Sequence, residues 1–301
     1  MKLKTSIYLK VFLLGILLSS CNSQEKDIPK ISLAQWSMHQ QLFDGSADPK
    51  DFAKDAKEKY GIQAIEYVSA FYVDQATDES FWKDMKYRSD QYGVKNIMIM
   101  VDGEGDLGAE DEEERLQAVI NHHKWIKAAS ILQCQSIRVN AFGSSKYEVF
   151  KESMIKSLTE LGETASLYDL NIIIENHGSF SSEADKMVDI ISQVGLTNVG
   201  TLPDFGNWCY SKQWGGVDGA CQAAYDIYKG VEEFMPYAKS VSAKTYDFKE
   251  DGTPEFIDFK KMMAIVKNSG FKGYIGIEYE GKNLSEDDGI KATKQVIMNN
   301  W

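Results

Sequence analysis

From residue 30 onward, short apolar or β-branched runs alternate with longer stretches in which apolar residues recur every three or four positions. The short runs predict strands and the longer stretches predict helices, so the pattern favours parallel βα units. Several helical stretches end at a glycine, as helix C-termini do. The predicted strands are Ile31–Trp36, Ala64–Val68, Asn96–Val101, Ser136–Asn140, Asn171–Glu175, Asn198–Leu202, Ser240–Lys244 and Tyr274–Tyr279, and the helical stretches include Pro49–Tyr60, Asp111–Leu132, Tyr147–Tyr168, Ser182–Val194 and Phe256–Ser269.

Eight such units fix the expected fold class. Their combined length of about 270 residues is that of a single (β/α)8 barrel, or TIM barrel. The alternative is a doubly wound open sheet, but no glycine-rich phosphate loop follows the first predicted strand. We therefore predict an α/β protein with one TIM barrel domain over residues 30–301.

The first twenty residues have the pattern of an export signal. Three lysines accompany an apolar run, Val11–Leu18, which is too short to span a bilayer permanently. The run leads into Leu-Ser-Ser-Cys, which resembles the lipobox of bacterial lipoproteins, where the cysteine becomes the lipid-carrying N-terminus. We expect a signal peptide at 1–20, lipidation at Cys21 and a polar tether at 21–29. The alternative is ordinary secretion with an incidental cysteine.

Export would place the protein outside the cytoplasm, in the periplasm or at the cell surface, held by a lipid anchor only.

The composition excludes one class of partner. With 33 Lys+Arg against 45 Asp+Glu, the chain carries a net charge of −12, and removal of residues 1–20 changes it to −15. A surface of that sign repels phosphates, so nucleic acid is not an expected partner.

The four cysteines are too few for a disulfide scaffold. Cys209 and Cys221 lie twelve residues apart around a loop rich in glycine and tryptophan, and the sequence leaves open whether they form a disulfide. Cys134 lies in an apolar stretch and is expected to be a buried free thiol.

Acidic residues follow three of the predicted strands. Glu175, Asp204 and Glu278 come at the ends of strands five, six and eight, where a barrel places its chemistry. Three carboxylates at one mouth raise one another's pKa values unless a cation lies among them. Oxygen ligands favour Mg²⁺ or Mn²⁺, and Zn²⁺ is possible if a nitrogen joins them. The alternative is three separate capping or salt-bridged acids.

Four motifs at these strands carry a family resemblance. They are Ile174-Glu175-Asn176-His177-Gly178, Leu202-Pro203-Asp204-Phe205-Gly206-Asn207, Val241-Ser242-Ala243-Lys244 and Gly276-Ile277-Glu278-Tyr279-Glu280-Gly281. The chain from about residue 30 to residue 299 thereby resembles the xylose isomerase-like TIM barrels, also called the sugar phosphate isomerase/epimerase family.

The resemblance implies one divalent metal ion, held by a Glu, an Asp, a His and a Glu after strands five to eight. Glu175, Asp204 and Glu278 match three of these positions. Ser242 stands where the histidine is usual and would be a weak ligand. Asn207 replaces a second common histidine, and His177 is a candidate to compensate.

The resemblance also implies a carbohydrate isomerase or epimerase that transfers protons next to a carbonyl. Glu175 and Glu278 would act as base and acid, Lys244 would neutralise the oxyanion, and Glu280 is an alternative to Glu278. Expected export favours a non-phosphorylated sugar or keto-sugar. The alternatives are a lyase or hydrolase that cleaves 3-keto-glycosides by elimination, and a non-catalytic sugar-binding lipoprotein.

The small-molecule carbohydrate needs contacts beyond these acids. Polar and aromatic residues near the same strand ends are the candidates, with structural ion pairs and barrel packing as the alternative roles. The substrate-binding candidates are His177, Arg138, Asn207, Trp36 and Phe142, with Phe71 and Trp208 as further apolar walls.

Overall fold

The computed structural model describes residues 28–219 and 221–301. The expected signal peptide, Cys21 and most of the expected tether lie outside the described residues. Within them, eight parallel strands alternate with helices in one nearly closed TIM barrel. The strands are β1 (Lys30–Ala34), β2 (Ala64–Val68), β3 (Lys95–Met100), β4 (Ser136–Val139), β5 (Asn171–Glu175), β6 (Val199–Leu202), β7 (Val241–Thr245) and β8 (Tyr274–Tyr279).

Helices follow the strands along the chain. They are α1 (His39–Phe43), α2 (Phe52–Tyr60), α3 (Glu79–Gln91), α4 (Glu112–Leu132), α5 (Tyr147–Ser166), α6 (Ala184–Val194), α7 (Ile227–Phe234), α8 (Phe259–Asn268) and α9 (Glu286–Asn300). None of the helices in the described residues is both long and apolar enough to cross a bilayer.

The predicted fold class is confirmed. Strands β2, β5 and β8 have the predicted bounds, and the other five differ by one or two residues at one or both ends. Strand β1 is shorter than predicted because a 3₁₀ turn begins at Gln35. The N-terminus of α4 lies in a run of five acidic residues, 110–114, in which the Asp111 side chain accepts hydrogen bonds from the backbone N–H groups of Glu113 and Glu114.

Neighbouring strands pair in the order β6-β5-β4-β3-β2-β1-β8-β7, so no continuous ladder joins β6 to β7 in the described chain. We call this junction the seam. Isolated bridges close it: the Ser242 N–H donates to Pro203 O at 3.0 Å, and the Phe205 N–H donates to Ser242 O at 3.0 Å. The seam therefore runs directly past the end of β6, where Asp204 lies.

The connection from β6 to α7 contains the loop 209–221, which a disulfide closes between Cys209 and Cys221. The sequence alone had not decided whether these two cysteines form a disulfide. Cys134 is a buried free thiol, as expected. The disulfide fixes both ends of a loop that reaches over the C-terminal ends of the strands.

Candidate functional site

A cavity of about 490 Å³ opens at the C-terminal ends of the strands. We call it the main cavity. Polar side chains from β4, β7 and β8 lie on its inner side, and the loop 209–221 covers part of it. The lining includes Trp36, Phe43, Asp102, Arg138, His177, Asn207, Lys212, Gln213, Trp214, Asp218, Lys244, Glu278 and Glu280.

Three carboxylates meet beside this cavity, as the spacing in the sequence predicted. Each of Glu175, Asp204 and Glu278 contributes an oxygen atom, and these atoms lie within 4.8 Å of one another. Their side chains belong to residues that are 1%, 0% and 5% exposed. We call this cluster the acidic triad. Among the described residues the cluster includes no histidine.

Burial dominates the protonation of Glu175 and Asp204. It raises the pKa of Glu175 well above its ordinary value, although Arg138 acts in the opposite direction. It also raises the pKa of Asp204 to about 7, against the stabilising charge of Lys244. Both acids therefore hold protons more readily than a solvated carboxylate, and a bound cation would displace those protons.

Ser242 lies between two members of the triad. Its Oγ is 2.6 Å from Asp204 Oδ2 and 2.8 Å from Glu278 Oε2. One hydroxyl has one proton, so it can satisfy only one of two ionised carboxylates. The other carboxylate needs a proton or a cation to balance its charge, and the atoms that could bind a cation here are hard oxygens. These residues therefore fit a divalent metal ion with oxygen ligands.

Two buried cations partly neutralise the triad. Arg138 Nε lies 2.9 Å from Glu175 Oε2, and Arg138 Nη1 donates to Asp102 Oδ1 at 2.6 Å. Burial opposes the charge on Arg138, but Asp102 and Glu175 outweigh it and raise the pKa of the guanidinium. The guanidinium thus ties the acid of β5 to the acid that follows β3.

Lys244 plays the equivalent part on β7. Its Nζ lies 3.6 Å from Glu278 Oε1 and 3.1 Å from Glu280 Oε1. Burial opposes its charge, but Asp204 and Glu278 outweigh it and raise the pKa of Lys244 well above its ordinary value. Lys244 is therefore protonated and faces the main cavity together with both glutamates.

The predicted substrate residues divide into two groups. Trp36, Arg138, His177 and Asn207 line the main cavity. Phe142 lies beside it, with its ring centroid 6.3 Å from that of His177.

Two of these residues have hydrogen bonds that the sequence did not predict. Asn207 Nδ2 donates to Glu175 Oε1 at 3.1 Å, while its Oδ1 accepts from Lys244 Nζ at 3.1 Å. His177 Nδ1 is bonded to Asn140 Oδ1 at 2.7 Å, and burial lowers the pKa of His177 well below its ordinary value. Asn207 therefore couples the triad to Lys244, and His177 is a neutral ring outside the triad.

Trp208 was expected to form an apolar wall against the sugar, and this expectation was wrong. Trp208 is fully buried and packs against Phe234, so it does not line the main cavity. Trp214 takes that place: it is 48% exposed, and its ring lies 4.8 Å from His177 and 5.4 Å from Phe142. Its position between the two bridged cysteines was the available signal.

A fourth buried acid lies deeper in the barrel, on β2. Glu66 is 0% exposed, and its Oε1 accepts a hydrogen bond from Ser32 Oγ at 2.5 Å. Its Oε2 has no hydrogen-bond partner among the described residues. Burial raises the pKa of Glu66 to about 8, so it is largely protonated at neutral pH.

Comparisons with known proteins place the chain among barrels of one type. A family model described as "Xylose isomerase-like TIM barrel" matches residues 54–299. No curated protein matches the chain significantly.

Solved structures share the fold at low sequence identity. D-psicose 3-epimerase from Clostridium cellulolyticum H10, solved with D-tagatose, is 13% identical with a TM-score of 0.66, over 90% of this chain and 96% of its own. IolI with a bound zinc atom is 15% identical with a TM-score of 0.67, over 90% and 99%. The 3-keto-D-glucoside 4-epimerase YcjR from E. coli is 12% identical with a TM-score of 0.66, over 90% and 99%.

Proposed function

Because the chain belongs to the xylose isomerase-like TIM barrel family, we propose that it is a metal-dependent sugar isomerase or epimerase. The reaction is proton transfer at a carbon next to a carbonyl. The observation that carries the proposal is the acidic triad, buried beside a cavity that also contains the protonated Lys244. The likeness to two sugar epimerases supports the choice of reaction class.

The metal ion would be held by Glu175, Asp204 and Glu278, with Ser242 Oγ beside two of them. When bound, a divalent cation supplies Lewis-acid polarisation of the carbonyl. The oxygen ligands favour Mg²⁺ or Mn²⁺, and the zinc atom in IolI keeps Zn²⁺ as a candidate.

The protein's own groups move the proton. Glu278 lines the main cavity and is the base, since a base must reach the proton that it removes. The proton that Glu278 removes stays on its carboxylate. Glu175, whose pKa is raised by burial, donates its own proton to the substrate as the acid, and Asn207 Nδ2 orients it through a hydrogen bond to Glu175 Oε1. Lys244 lies beside Glu278 and neutralises negative charge that develops on the substrate oxygen.

The charges of the main cavity favour a substrate without phosphate. Of the residues that line it, three are cationic, and each lies within 4 Å of a carboxylate. Arg138 pairs with Asp102, Lys244 pairs with Glu280, and Lys212 lies 3.7 Å from Asp218. No lining cation of the described chain is left to bind a phosphate, while Trp36 and Trp214 offer faces to a neutral sugar ring.

Location remains part of the proposal. The lipobox-like sequence at Cys21 supports an exported lipoprotein anchored in a bacterial membrane. The Cys209–Cys221 disulfide agrees with such a compartment, because disulfides persist in oxidising environments.

Deuterium exchange tests the reaction directly. The protein, loaded with Mn²⁺, Mg²⁺ or Zn²⁺, is incubated in D₂O with D-fructose, D-tagatose or 3-keto-D-glucose, and incorporation next to the carbonyl is measured by NMR or mass spectrometry. We expect metal-dependent exchange that Glu278→Gln abolishes. Glu280→Gln is the matched control, because Glu280 also contacts Lys244, and we expect it to retain most of the exchange.

Two results would count against the proposal. Exchange that survives Glu278→Gln would remove this residue from the role of base. A protein that binds no divalent metal by mass spectrometry or calorimetry, and exchanges no deuterium with any of these sugars, would rule out the proposed reaction.

A further inference from the structure

A second cavity of about 480 Å³ adjoins the main cavity. We call it the side cavity; its lining includes Phe142, Ser145, Phe180, Tyr210 and Gln213. Gln213 lines both cavities, so the two share a wall. Each volume lies within the range of sites that bind small molecules. Gln213 is exposed, so a ligand in the main cavity could extend over its side chain into the side cavity.

The side cavity has the composition of a site for neutral hydroxylated molecules. Its wall combines aromatic rings with hydroxyl groups, and Tyr210 is 39% exposed. Two acids, Asp106 and Glu183, also line it. None of its lining residues, all of them in the described part of the chain, is Lys, Arg or His. The lining residues therefore supply no counter-charge to a phosphate or a carboxylate, and Lys186, which lies against Phe180, is paired with Glu183. The same residues offer hydrogen-bond acceptors to sugar hydroxyls and aromatic rings to sugar faces.

The backbone of the loop that carries Gln213 is held in place. Gly178 and Gln213 form an antiparallel bridge, and the Cys209 N–H donates to Gly215 O at 2.7 Å. The disulfide holds the ends of the same loop. A Cβ atom at Gly178 would lie 2.3 Å from Lys212 O, so the loop packs directly onto the backbone that follows β5. The side cavity is therefore preformed, and little ordering is required on binding.

We propose that the side cavity binds a second sugar unit of the substrate while the reacting unit occupies the main cavity. The preferred substrate class is then a disaccharide or larger glycoside with one carbonyl-bearing unit. The inference rests on the proposed function, since it assigns the main cavity to the reacting sugar. Tyr210 and Gln213 become specificity residues that the acidic triad alone would not reveal.

Paired ligands test the inference by equilibrium binding. Calorimetry in the presence of Mn²⁺ compares D-fructose with maltulose, and 3-keto-D-glucose with 3-keto-cellobiose. In each pair the second compound adds one glucose unit to the same reacting unit. We expect the disaccharide to bind about tenfold more tightly, a ratio that corresponds to roughly 1.4 kcal/mol.

Two variants test the side cavity, one by filling it and the other by removing part of its wall. Ser145→Trp fills it from an exposed position, and Tyr210→Ala removes one of its rings. Each is expected to abolish the preference for the disaccharide and to leave binding of the monosaccharide within about twofold, less than 0.5 kcal/mol. Tyr168→Ala is the matched control, because Tyr168 is 40% exposed but follows α5 and lines neither cavity. Circular dichroism and thermal unfolding show whether each variant is folded.

The outcomes separate the two proposals. Equal affinity within both pairs, or a preference that Ser145→Trp and Tyr210→Ala both leave intact in the folded state, overturns the role of the side cavity and leaves the proposed function standing. Absence of binding by all four sugars overturns the proposed function and the inference with it.

Discussion

The buried carboxyl of Glu66 makes the stability of the barrel depend on pH. Its pKa rises from an ordinary value of 4.5 to about 8, because the residue is fully buried on β2. The native state therefore retains a proton that the unfolded chain releases above pH 4.5. Stability from this group is complete below that pH and is lost as the pH rises through about 8. At 1.36 kcal/mol per pH unit, the loss is about 5 kcal/mol.

Replacement of Glu66 by glutamine isolates this contribution. The amide keeps an oxygen that can accept from Ser32 Oγ, but it does not titrate. We expect Glu66→Gln to become more stable relative to the unmodified protein as the pH rises from 5 to 9, by about 4 kcal/mol in the free energy of unfolding. Groups such as Asp204 titrate in both proteins and cancel in the difference.

Urea-induced unfolding at each pH, followed by circular dichroism with a chelator present, gives that difference. Glu58→Gln, at an exposed position on α2, controls for the chemical change itself. A difference for Glu66→Gln that stays constant within about 1 kcal/mol from pH 5 to pH 9 would mean that Glu66 is ionised throughout, and the reasoning from burial would fail.

Three further changes test other parts of the structure. Lys244→Met leaves buried carboxylates without their cation, so we expect a loss of about 3–5 kcal/mol in chemical denaturation without metal, partly restored by Mn²⁺. Replacement of both Cys209 and Cys221 by serine should lower stability by about 3 kcal/mol and increase proteolysis within the loop that they close. Asp111→Ala removes the N-cap of α4 and should cost about 1 kcal/mol, measured by thermal unfolding. Unchanged values would contradict each expectation.

The barrel could be predicted from the sequence because buried parallel strands leave a strong local pattern. The run Ile172–Ile174, for example, is apolar throughout and is followed at once by an acid, Glu175, and an amide, Asn176. The same pattern placed Glu175, Asp204 and Glu278 at strand ends, and barrel geometry then required them to share one mouth. Convergence of the triad thus followed from topology alone.

What could not be predicted depends on contacts between distant parts of the chain. In the sequence, only the position of Trp214 between Cys209 and Cys221 separates it from Trp208, and this position does not show which ring is buried. Packing against Phe234 buries Trp208, and Trp214 lies beside His177. Likewise Arg138 was expected at the sugar, but its side chain also forms ion pairs with two acids from neighbouring strands. Such partners are defined only after the strands have been arranged side by side.

Because the acidic triad lies at the seam, a bound cation would also affect how often the barrel opens locally. Asp204 follows β6, Ser242 belongs to β7 and Glu278 belongs to β8. A cation bound by these side chains would therefore hold the two sides of the seam together. Amide hydrogens there report on opening. Without a cation, the amide hydrogens of Phe205 and Ser242 should exchange faster than those of β2 or β5. With a bound cation, their exchange rates should match those of the rest of the sheet. The residues that hold the ion would then also set how often the barrel opens.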